Sequence, residues 1–239
     1  MMTGAQYIES LRRLKTEVHF MGERVESVVD HPAMRPHINA AAATYDLATD
    51  PGTAELGSAV SHLTGRRINR WTHVPRTQDD LVKKVKMLRA VGRVTGTCFQ
   101  RCVGMDALIS LHSVTHDMDQ KHGTDYHERF KRFLVETQDL DLMSGGAMTD
   151  PKGDRSKRPH EQHDPDLFVR VVERRPDGIV VRGAKMHQTG AINSHQFIVM
   201  PGQALGPEDR DYAVAFAVPA DAEGVIQIFG RQVNDSRKW

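Results

Sequence analysis

Apolar and polar positions follow the period of a helix through most of the first 140 residues. The first such stretch covers about residues 4–20, with apolar side chains at Tyr7, Leu11, Leu14 and Val18. This spacing predicts an amphipathic helix, and Thr3 can cap its start. A second helix is expected over 33–49, because its alanine run permits close packing and Asp50-Pro51-Gly52 ends it.

Three more helices are predicted before residue 142. One begins after Thr77, with an apolar stripe at Leu81, Val85, Leu88 and Val91. The next follows Gly96, runs to about residue 121 and ends at His122-Gly123 in the manner of a C-cap. The last covers about 125–140, whereas residues 53–78 are the least regular part. The pattern therefore predicts an N-terminal helical domain over residues 1–142.

The pattern then changes from helical to β. Residues 144–156 are polar and rich in glycine, so they predict a long loop, a class of segment that is usually functional. Beyond this loop, 167–173 and 179–183 indicate a hairpin across Pro176-Asp177-Gly178. Further strands are expected at 197–200, 212–218 and 225–229. The predicted class is α+β, with an antiparallel β-domain over 143–239.

Composition narrows the classes of partner. The formal net charge of +1 gives no reason to expect nucleic acid, and no apolar run approaches the roughly 20 residues that span a bilayer. The first residues lack the basic and then apolar design of a secretory signal. Two cysteines without a disulfide framework fit a reducing compartment. We therefore expect a cytoplasmic protein without a nucleic-acid or membrane partner.

Both cysteines lie close together, at Cys98 and Cys102. On a helix they would share one face, one turn apart, with Cβ atoms roughly 5–6 Å from each other. Two adjacent thiolates form half of a soft-metal or iron–sulfur site, whereas a disulfide along one helical turn would be strained. The alternative is a pair of buried structural cysteines. Spacing alone leaves both interpretations open.

Several long runs of sequence resemble those of the 4-hydroxybutyryl-CoA dehydratases, which belong to the wider 4-hydroxyphenylacetate 3-hydroxylase family. The similarity extends from near residue 4 to the end of the chain. The runs that carry it are 30–32, 83–87, 98–107, 126–130, 146–155, 181–185 and 187–195.

This resemblance implies a particular architecture. It implies an acyl-CoA-dehydrogenase-like fold in which a helical domain precedes an antiparallel, barrel-like β-domain and a C-terminal helical bundle. Members of the family are about twice as long as this chain, and the stretch 230–239 does not resemble a natural finish. The chain is therefore expected to be an N-terminal half that lacks the bundle, or one piece of a split protein.

The resemblance also implies two cofactors, FAD and a [4Fe–4S] cluster. It assigns Cys98 and Cys102 as metal ligands, with a histidine and a third cysteine supplied by the C-terminal half. Composition alone would make 149–155 a solvated connection and 188–190 a strand end with a turn. The flavin contacts that the resemblance implies are Thr149, Asp150, Pro151, Lys152, Gly153, Asp154, Arg155, Gln188, Thr189 and Gly190.

Catalysis is implied for Thr189, which would also face the substrate. His187 and His195 are candidate bases, although a lone histidine is more often a hydrogen-bonded structural residue. The implied reaction is radical dehydration of a CoA thioester, 4-hydroxybutyryl-CoA, to crotonyl-CoA, together with isomerisation of vinylacetyl-CoA. The resemblance further implies a homotetramer or a separate C-terminal partner, and a fragment that is inactive alone.

Two other functions fit the same fold. One is a flavin-dependent aromatic hydroxylase that uses reduced flavin and oxygen, a chemistry that gives no reason for two thiolates. The other is a non-catalytic fragment or subunit that only binds flavin. Cys98 and Cys102 favour the dehydratase.

Overall fold

The computed structural model describes residues 1–230 of the 239-residue chain. The stretch 230–239, which was not expected to be a natural finish, lies outside the described residues except for Gly230. The described residues form six α-helices and four 3₁₀ segments. The helices are α1 (Gly4–Arg12), α2 (Arg35–Thr49), α3 (Ala54–Gly57), α4 (Gln78–Thr95), α5 (Cys102–His122) and α6 (Tyr126–Asp139).

Ten short strands are distributed over the whole described chain. They are β1 (Glu17–Phe20), β2 (Glu23–Arg24), β3 (Ser58–Val60), β4 (Arg67–Asn69), β5 (Ser144–Ala147), β6 (Arg170–Arg175), β7 (Gly178–Arg182), β8 (Gln196–Val199), β9 (Phe216–Pro219) and β10 (Ile226–Phe229).

The strands form four small sheets. Two have three strands, in the orders β10-β1-β2 and β5-β8-β9, and two are the pairs β3-β4 and β6-β7. β1 pairs with β10 in parallel, and β5 pairs with β8 in parallel. Within residues 1–230 we find no closed barrel, and the parallel pairs depart from the purely antiparallel domain that was expected.

Several elements agree with their predictions. Helix α2 ends at Thr49, and α5 ends at His122 with Gly123 in the left-handed conformation. Helix α6 and the hairpin β6-β7 lie where the sequence indicates. Thr77 caps α4 through a reciprocal pair of hydrogen bonds with Asp80.

The first predicted helix is too long. Helix α1 ends at Arg12, and residues 17–20 form β1 instead. In β1 the buried side chains are Val18 and Phe20, which alternate with period two. Its partner β10 lies some 200 residues along the chain, so no local pattern could reveal the pairing.

The structure differs from the sequence predictions in the buried face of α4 and in the bounds of two strands. On α4, Leu81 and Val85 are 54% and 55% exposed, and Met87 and Val91 form the buried side. Residues 144–147 form β5 rather than loop, and the predicted strand at 212–218 begins only at Phe216. Both strands owe their position to pairing with β8.

A core of buried residues joins the two predicted domains. It packs Tyr7 and Tyr45 of the helices with Met143 and Ile192 from beyond residue 142. The division at 142/143 stays a prediction. None of the helices in residues 1–230 is both long and apolar enough to cross a membrane.

Candidate functional site

The cysteine segment is a turn followed by a helix start. Residues 97–101 are not helical, and α5 begins at Cys102. The prediction of two cysteines on one helical face was therefore wrong. Its physical reason is Gln100, whose φ of 60° lies in the left-handed region and interrupts the helix.

The two thiols nevertheless lie near enough to interact electrostatically. Cys98 is exposed and Cys102 is partly buried, and neither forms a disulfide within the described chain. Burial is the main cause that raises the pKa of Cys102, and the charge of the nearby Cys98 raises it further. A thiol whose ionised form is disfavoured in this way is a group that a bound cation would deprotonate.

Close backbone packing fixes the start of α5. A Cβ atom added to Gly104 would lie 1.8 Å from the carbonyl oxygen of Ser144 in β5, and one added to Gly146 would lie 2.3 Å from a methyl of Val103. Helix α5 and β5 therefore touch through glycines on both sides. This contact sets Cys102 beside the strand that leads into the 149–155 segment.

Arg101, between the two cysteine positions, is 2% exposed. Its guanidinium lies 4.1 Å from the ring centroid of Tyr45 and donates to the Thr44 hydroxyl at 3.1 Å. It also lies 3.7 Å from the Asp141 carboxylate. These contacts surround the buried guanidinium of Arg101 with partners and so hold the turn at 97–101 against α2 and Asp141.

The side chain of Gln100 connects the cysteine turn to a distant segment. Its amide nitrogen donates to Nδ1 of His37, and its Oε1 accepts from Asn193 at 2.8 Å. Asn193 also donates to the carbonyl of His37 at 3.2 Å. Asn193 is fully buried, and its Oδ1 has no hydrogen-bond partner among the described residues. This network holds the cysteine turn against the short helical turn at 191–193.

Gly190 makes the closest approach to the cysteine turn. Its φ is +84°, and an added Cβ would lie 2.6 Å from the carbonyl oxygen of Gln100. Only glycine satisfies both conditions. The structure thus brings the segment 188–190 together with 98–102, two stretches that the sequence analysis singled out separately.

The loop 149–155 is held at both ends by hydrogen bonds to residues outside it. Both oxygens of Asp150 are engaged, one by Lys185 and one by the N–H of Gly202 at 3.1 Å. Gln162 closes the far end by accepting from the N–H of Asp154 and donating to its carbonyl, both at 2.9 Å. Asp150 and Asp154 therefore shape the loop, and a direct flavin contact by either stays a prediction.

The remaining predicted flavin contacts differ in exposure. Lys152, Arg155 and Thr189 are exposed, whereas Pro151 and Gly153 are partly buried. An added Cβ at Gly153 would meet Gln162 at 2.3 Å. Thr149 accepts hydrogen bonds through its carbonyl from the N–H of Met186 at 2.9 Å and from the side chain of Gln188 at 3.2 Å. The Gln188 amide nitrogen is thus directed at protein carbonyls, and its Oε1 is left to accept.

The two candidate bases occupy different environments. His195 is buried: its Nδ1 accepts from the N–H of Met143 at 2.9 Å, and its Nε2 lies 2.8 Å from the Ser10 hydroxyl. Burial, with Arg101 and Arg13 nearby, lowers the pKa of His195 to about 4. These contacts favour a structural role. His187 is exposed at a φ of 55° and supports the turn through its carbonyl, which accepts from Thr189 N–H at 3.0 Å.

Within residues 1–230, no three histidine, cysteine or acidic side chains are grouped so as to hold a metal ion. The assignment of Cys98 and Cys102 as metal ligands therefore stays a prediction. The sequence analysis missed the positioning role of Gln100 and Asn193. The position of Gln100 between the cysteines was the only available signal, because Asn193 lies 93 residues away.

Comparison with known proteins places these features in context. Residues 3–238 match the family model described as 4-hydroxyphenylacetate 3-hydroxylase N terminal. The chain is 56% identical over 238 residues to the 4-hydroxybutyryl-CoA dehydratase/vinylacetyl-CoA-Δ-isomerase of Clostridium aminobutyricum, which covers 100% of this chain and 49% of that protein.

Solved structures of the same family are also similar to this chain. An oxygen-tolerant archaeal 4-hydroxybutyryl-CoA dehydratase from N. maritimus matches with a TM-score of 0.93 and 55% identity, over 96% of this chain and 46% of that one. The HpaB oxygenase component of 4-hydroxyphenylacetate 3-monooxygenase, solved with FAD, matches with a TM-score of 0.78 and 28% identity, over 92% of this chain and 45% of that one. The chain spans about half the length of these relatives.

Proposed function

The chain belongs to the 4-hydroxyphenylacetate 3-hydroxylase N-terminal family, and from this membership we propose that it is the N-terminal half of a 4-hydroxybutyryl-CoA dehydratase/vinylacetyl-CoA-Δ-isomerase. The observation that carries the proposal is the packing of Gly190 against the carbonyl of Gln100. Because Gln100 lies between the two cysteines in sequence, this packing supports a position of both thiols near the segment 188–190. A dehydratase that combines a metal cluster with a flavin would use such a contact to bring the two cofactors to one substrate.

The thiol pair is consistent with half of an iron–sulfur site. Cys98 is exposed and Cys102 partly buried, so a cluster could reach both sulfur atoms from the surface of this chain. A [4Fe–4S] cluster is held by four protein ligands in most proteins. We propose that Cys98 and Cys102 hold the cluster on one side and that the other ligands come from a C-terminal half.

The flavin site would lie between the loop 149–155 and the segment 188–190. Lys152 and Arg155 are exposed, and neither forms a hydrogen bond or an ion pair within residues 1–230. Two free cations on one ordered loop suit a pyrophosphate. Gly190 and the exposed Thr189 lie on the side nearest the thiols, where the isoalloxazine ring would have to be for the two cofactors to share a substrate.

The proposed substrate is a CoA thioester whose β-proton is not acidic. When bound, the flavin would supply one-electron chemistry and the cluster a Lewis acid for the departing hydroxyl. We propose that elimination passes through a transient substrate radical, in which that proton becomes far more acidic. The contribution of this chain is orientation: the turn at 98–102 and the hydroxyl of Thr189 would face one substrate from two sides.

Similarity favours the dehydratase over the aromatic hydroxylase. The chain is 56% identical to the Clostridium dehydratase but 29% identical to the 4-hydroxyphenylacetate 3-monooxygenase oxygenase component of Geobacillus. We further propose a cytoplasmic homo-oligomer, a tetramer by analogy with the family. The 239 residues alone are proposed to be inactive, because the remaining cluster ligands would be missing.

A turnover assay tests the proposal. The polypeptide that carries these residues would be purified without oxygen from its own source and supplied with 4-hydroxybutyryl-CoA or vinylacetyl-CoA. We expect crotonyl-CoA from both substrates, with activity lost in Cys98→Ser. Oxygen uptake with 4-hydroxyphenylacetate and no crotonyl-CoA would instead establish the hydroxylase. Equal crotonyl-CoA formation by the Cys98→Ser enzyme would contradict the proposed role of the thiols.

A further inference from the structure

Four histidines form a row on α5, α6 and the turn before β4, away from the site described above. The ring centroids of His62 and His112 are 5.4 Å apart, those of His112 and His127 are 4.9 Å apart, and those of His127 and His116 are 5.5 Å apart. The rings meet edge to face. His112 and His116 are one turn apart on α5, so His127 of α6 lies against both.

Hydrogen bonds orient two of these rings. The Thr115 hydroxyl donates to the carbonyl of Leu111 at 2.6 Å and therefore accepts from Nδ1–H of His127 at 3.0 Å. Nδ1 of His116 lies 3.4 Å from the carboxylate of Asp117, which only accepts. In His127 and His116, Nδ1 therefore carries the proton and donates it to an acceptor. The lone pair on Nε2 of each ring is then available to bind a metal ion. Metal-binding histidines are oriented by such outer contacts.

At His112 and His127 the environment favours the neutral ring, which is the form that binds metals. Burial, together with the neighbouring histidines and Arg76, lowers the pKa of His112 to about 4. Burial and then Lys131 lower the pKa of His127, against the opposing effect of the Glu128 and Asp119 carboxylates. Those two carboxylates lie near enough to offset part of the charge of a bound cation.

We propose that His112, His116 and His127 bind one divalent transition-metal ion of the kind that prefers imidazole, such as Ni²⁺ or Zn²⁺. Three imidazoles at metal–nitrogen distances of about 2.0–2.1 Å around a tetrahedral ion place their ring centroids about 5 Å apart. The spacings of 4.9 Å and 5.5 Å are close to that value.

The site closes by side-chain rotation. In residues 1–230 no three ligand side chains are already grouped around one point, so the two rings on α5 must turn toward Nε2 of His127. His116 is exposed, and rotation of an exposed side chain is fast, whereas the partly buried His112 must turn among its neighbouring rings. The bound ion would join α5 to α6 across the short turn at 123–125.

Ni²⁺ titration by calorimetry tests the proposal, with Cys98→Ser/Cys102→Ser as the starting protein so that the thiols do not compete. We expect one Ni²⁺ per chain and a higher melting temperature with Ni²⁺, because a ligand that binds only the folded state stabilises it. We expect His127→Gln to weaken binding at least tenfold. His163→Gln, an exposed histidine outside the row, is the matched control and should bind like the starting protein.

Binding that persists unchanged in the triple variant His112→Gln/His116→Gln/His127→Gln would overturn the proposal, and so would no binding to the starting protein. A measurement on the unaltered chain guards against misfolded variants. In proton NMR spectra, Ni²⁺ should broaden the ring signals of His112, His116 and His127 before that of His163. Uniform broadening of all histidines would count against the site. Neither result depends on the proposed dehydratase activity.

Discussion

The junction between 98–102 and 188–193 and the loop 149–155 were both expected to contact cofactors, yet they are built differently. The junction is fixed by buried groups: Arg101 is 2% exposed, Asn193 is fully buried, and Gly190 touches the backbone of Gln100. The loop is tied at its two ends by Asp150 and Gln162, while Lys152 and Arg155 between them are exposed. The junction is preorganised, whereas the loop presents free charges.

This difference separates two kinds of sensitivity. A change at the junction should disturb folding and the geometry of the thiols together, because the atoms of the junction are closely packed. A change to the exposed cations of the loop should leave stability alone and alter ligand affinity. The predictions below test this contrast from the largest expected effect to the smallest.

The largest effect is expected at the start of α5. Gly104→Ala would place a Cβ 1.8 Å from the carbonyl oxygen of Ser144, so helix and strand must separate. We expect a loss of about 3 kcal/mol or more in the free energy of unfolding, measured by urea denaturation. Gly92→Ala on α4 is the matched control, because nothing lies within 4 Å of its added Cβ. It should stabilise the chain by about 0.5–1 kcal/mol. Equal effects at both positions would contradict the packing described for α5 and β5.

A loss of similar size is expected from acid, through the buried His195. Burial, with Arg101 and Arg13, lowers the pKa of His195 from 6.5 to about 4. The unfolded chain therefore takes up the proton first, so stability is full above about pH 6.5 and falls as the pH drops toward 4. The shift corresponds to on the order of 3 kcal/mol. Urea denaturation at pH 7 and pH 5 should show a smaller loss in His195→Asn than in the wild type. An equal loss in the two proteins would mean that other groups govern the acid response.

A smaller effect is expected at Gly190. Gly190 and Gly224 share a φ of +84°, but only Gly190 has a backbone atom within reach of an added Cβ. Gly224→Ala should therefore cost about 1 kcal/mol for the left-handed conformation alone, and Gly190→Ala about 2–3 kcal/mol. The comparison isolates the contact with Gln100. Thermal or urea unfolding measures both variants. An equal loss of stability would contradict the close contact between Gly190 and the carbonyl of Gln100.

The smallest effect on stability is expected in the loop. Lys152→Gln/Arg155→Gln should change the free energy of unfolding by less than about 0.5 kcal/mol. If the cations bind a pyrophosphate, FAD affinity should fall by about tenfold or more, since charge-assisted hydrogen bonds contribute roughly 1.5–3 kcal/mol. Fluorescence titration measures this. Lys157→Gln, another exposed cation next to the loop, is the control. An unchanged FAD affinity in the double variant would remove both residues from the flavin site.

The same contrast explains what the sequence could predict. Helix α6, the end of α5 and the hairpin β6-β7 follow from local spacing, capping and turn residues, all of which act within a few positions. Strands β1 and β5 depend on partners far along the chain and were missed. The apolar pattern of a four-residue strand is too short to identify the strand unless its pairing partner is known.

The candidate site shows the same limit. The residue types of the cysteine segment pointed to a metal site, but the helical geometry assigned to it was wrong because the φ of Gln100 is positive. That conformation is maintained by His37 and Asn193, which lie 63 and 93 residues from Gln100. Local propensity carries no information about such contacts. The metal site at Cys98 and Cys102 therefore stays a prediction, and the geometry of the segment could not be derived from the sequence.

Iron and acid-labile sulfide content tests the central claim most directly, namely that Cys98 and Cys102 hold a metal cluster beside the flavin segment. The polypeptide that carries these residues and its Cys98→Ser/Cys102→Ser variant would be purified without oxygen and analysed for iron, sulfide and FAD. The account predicts that the variant loses its cluster iron and sulfide and retains FAD. Equal iron and sulfide in the two proteins would contradict it.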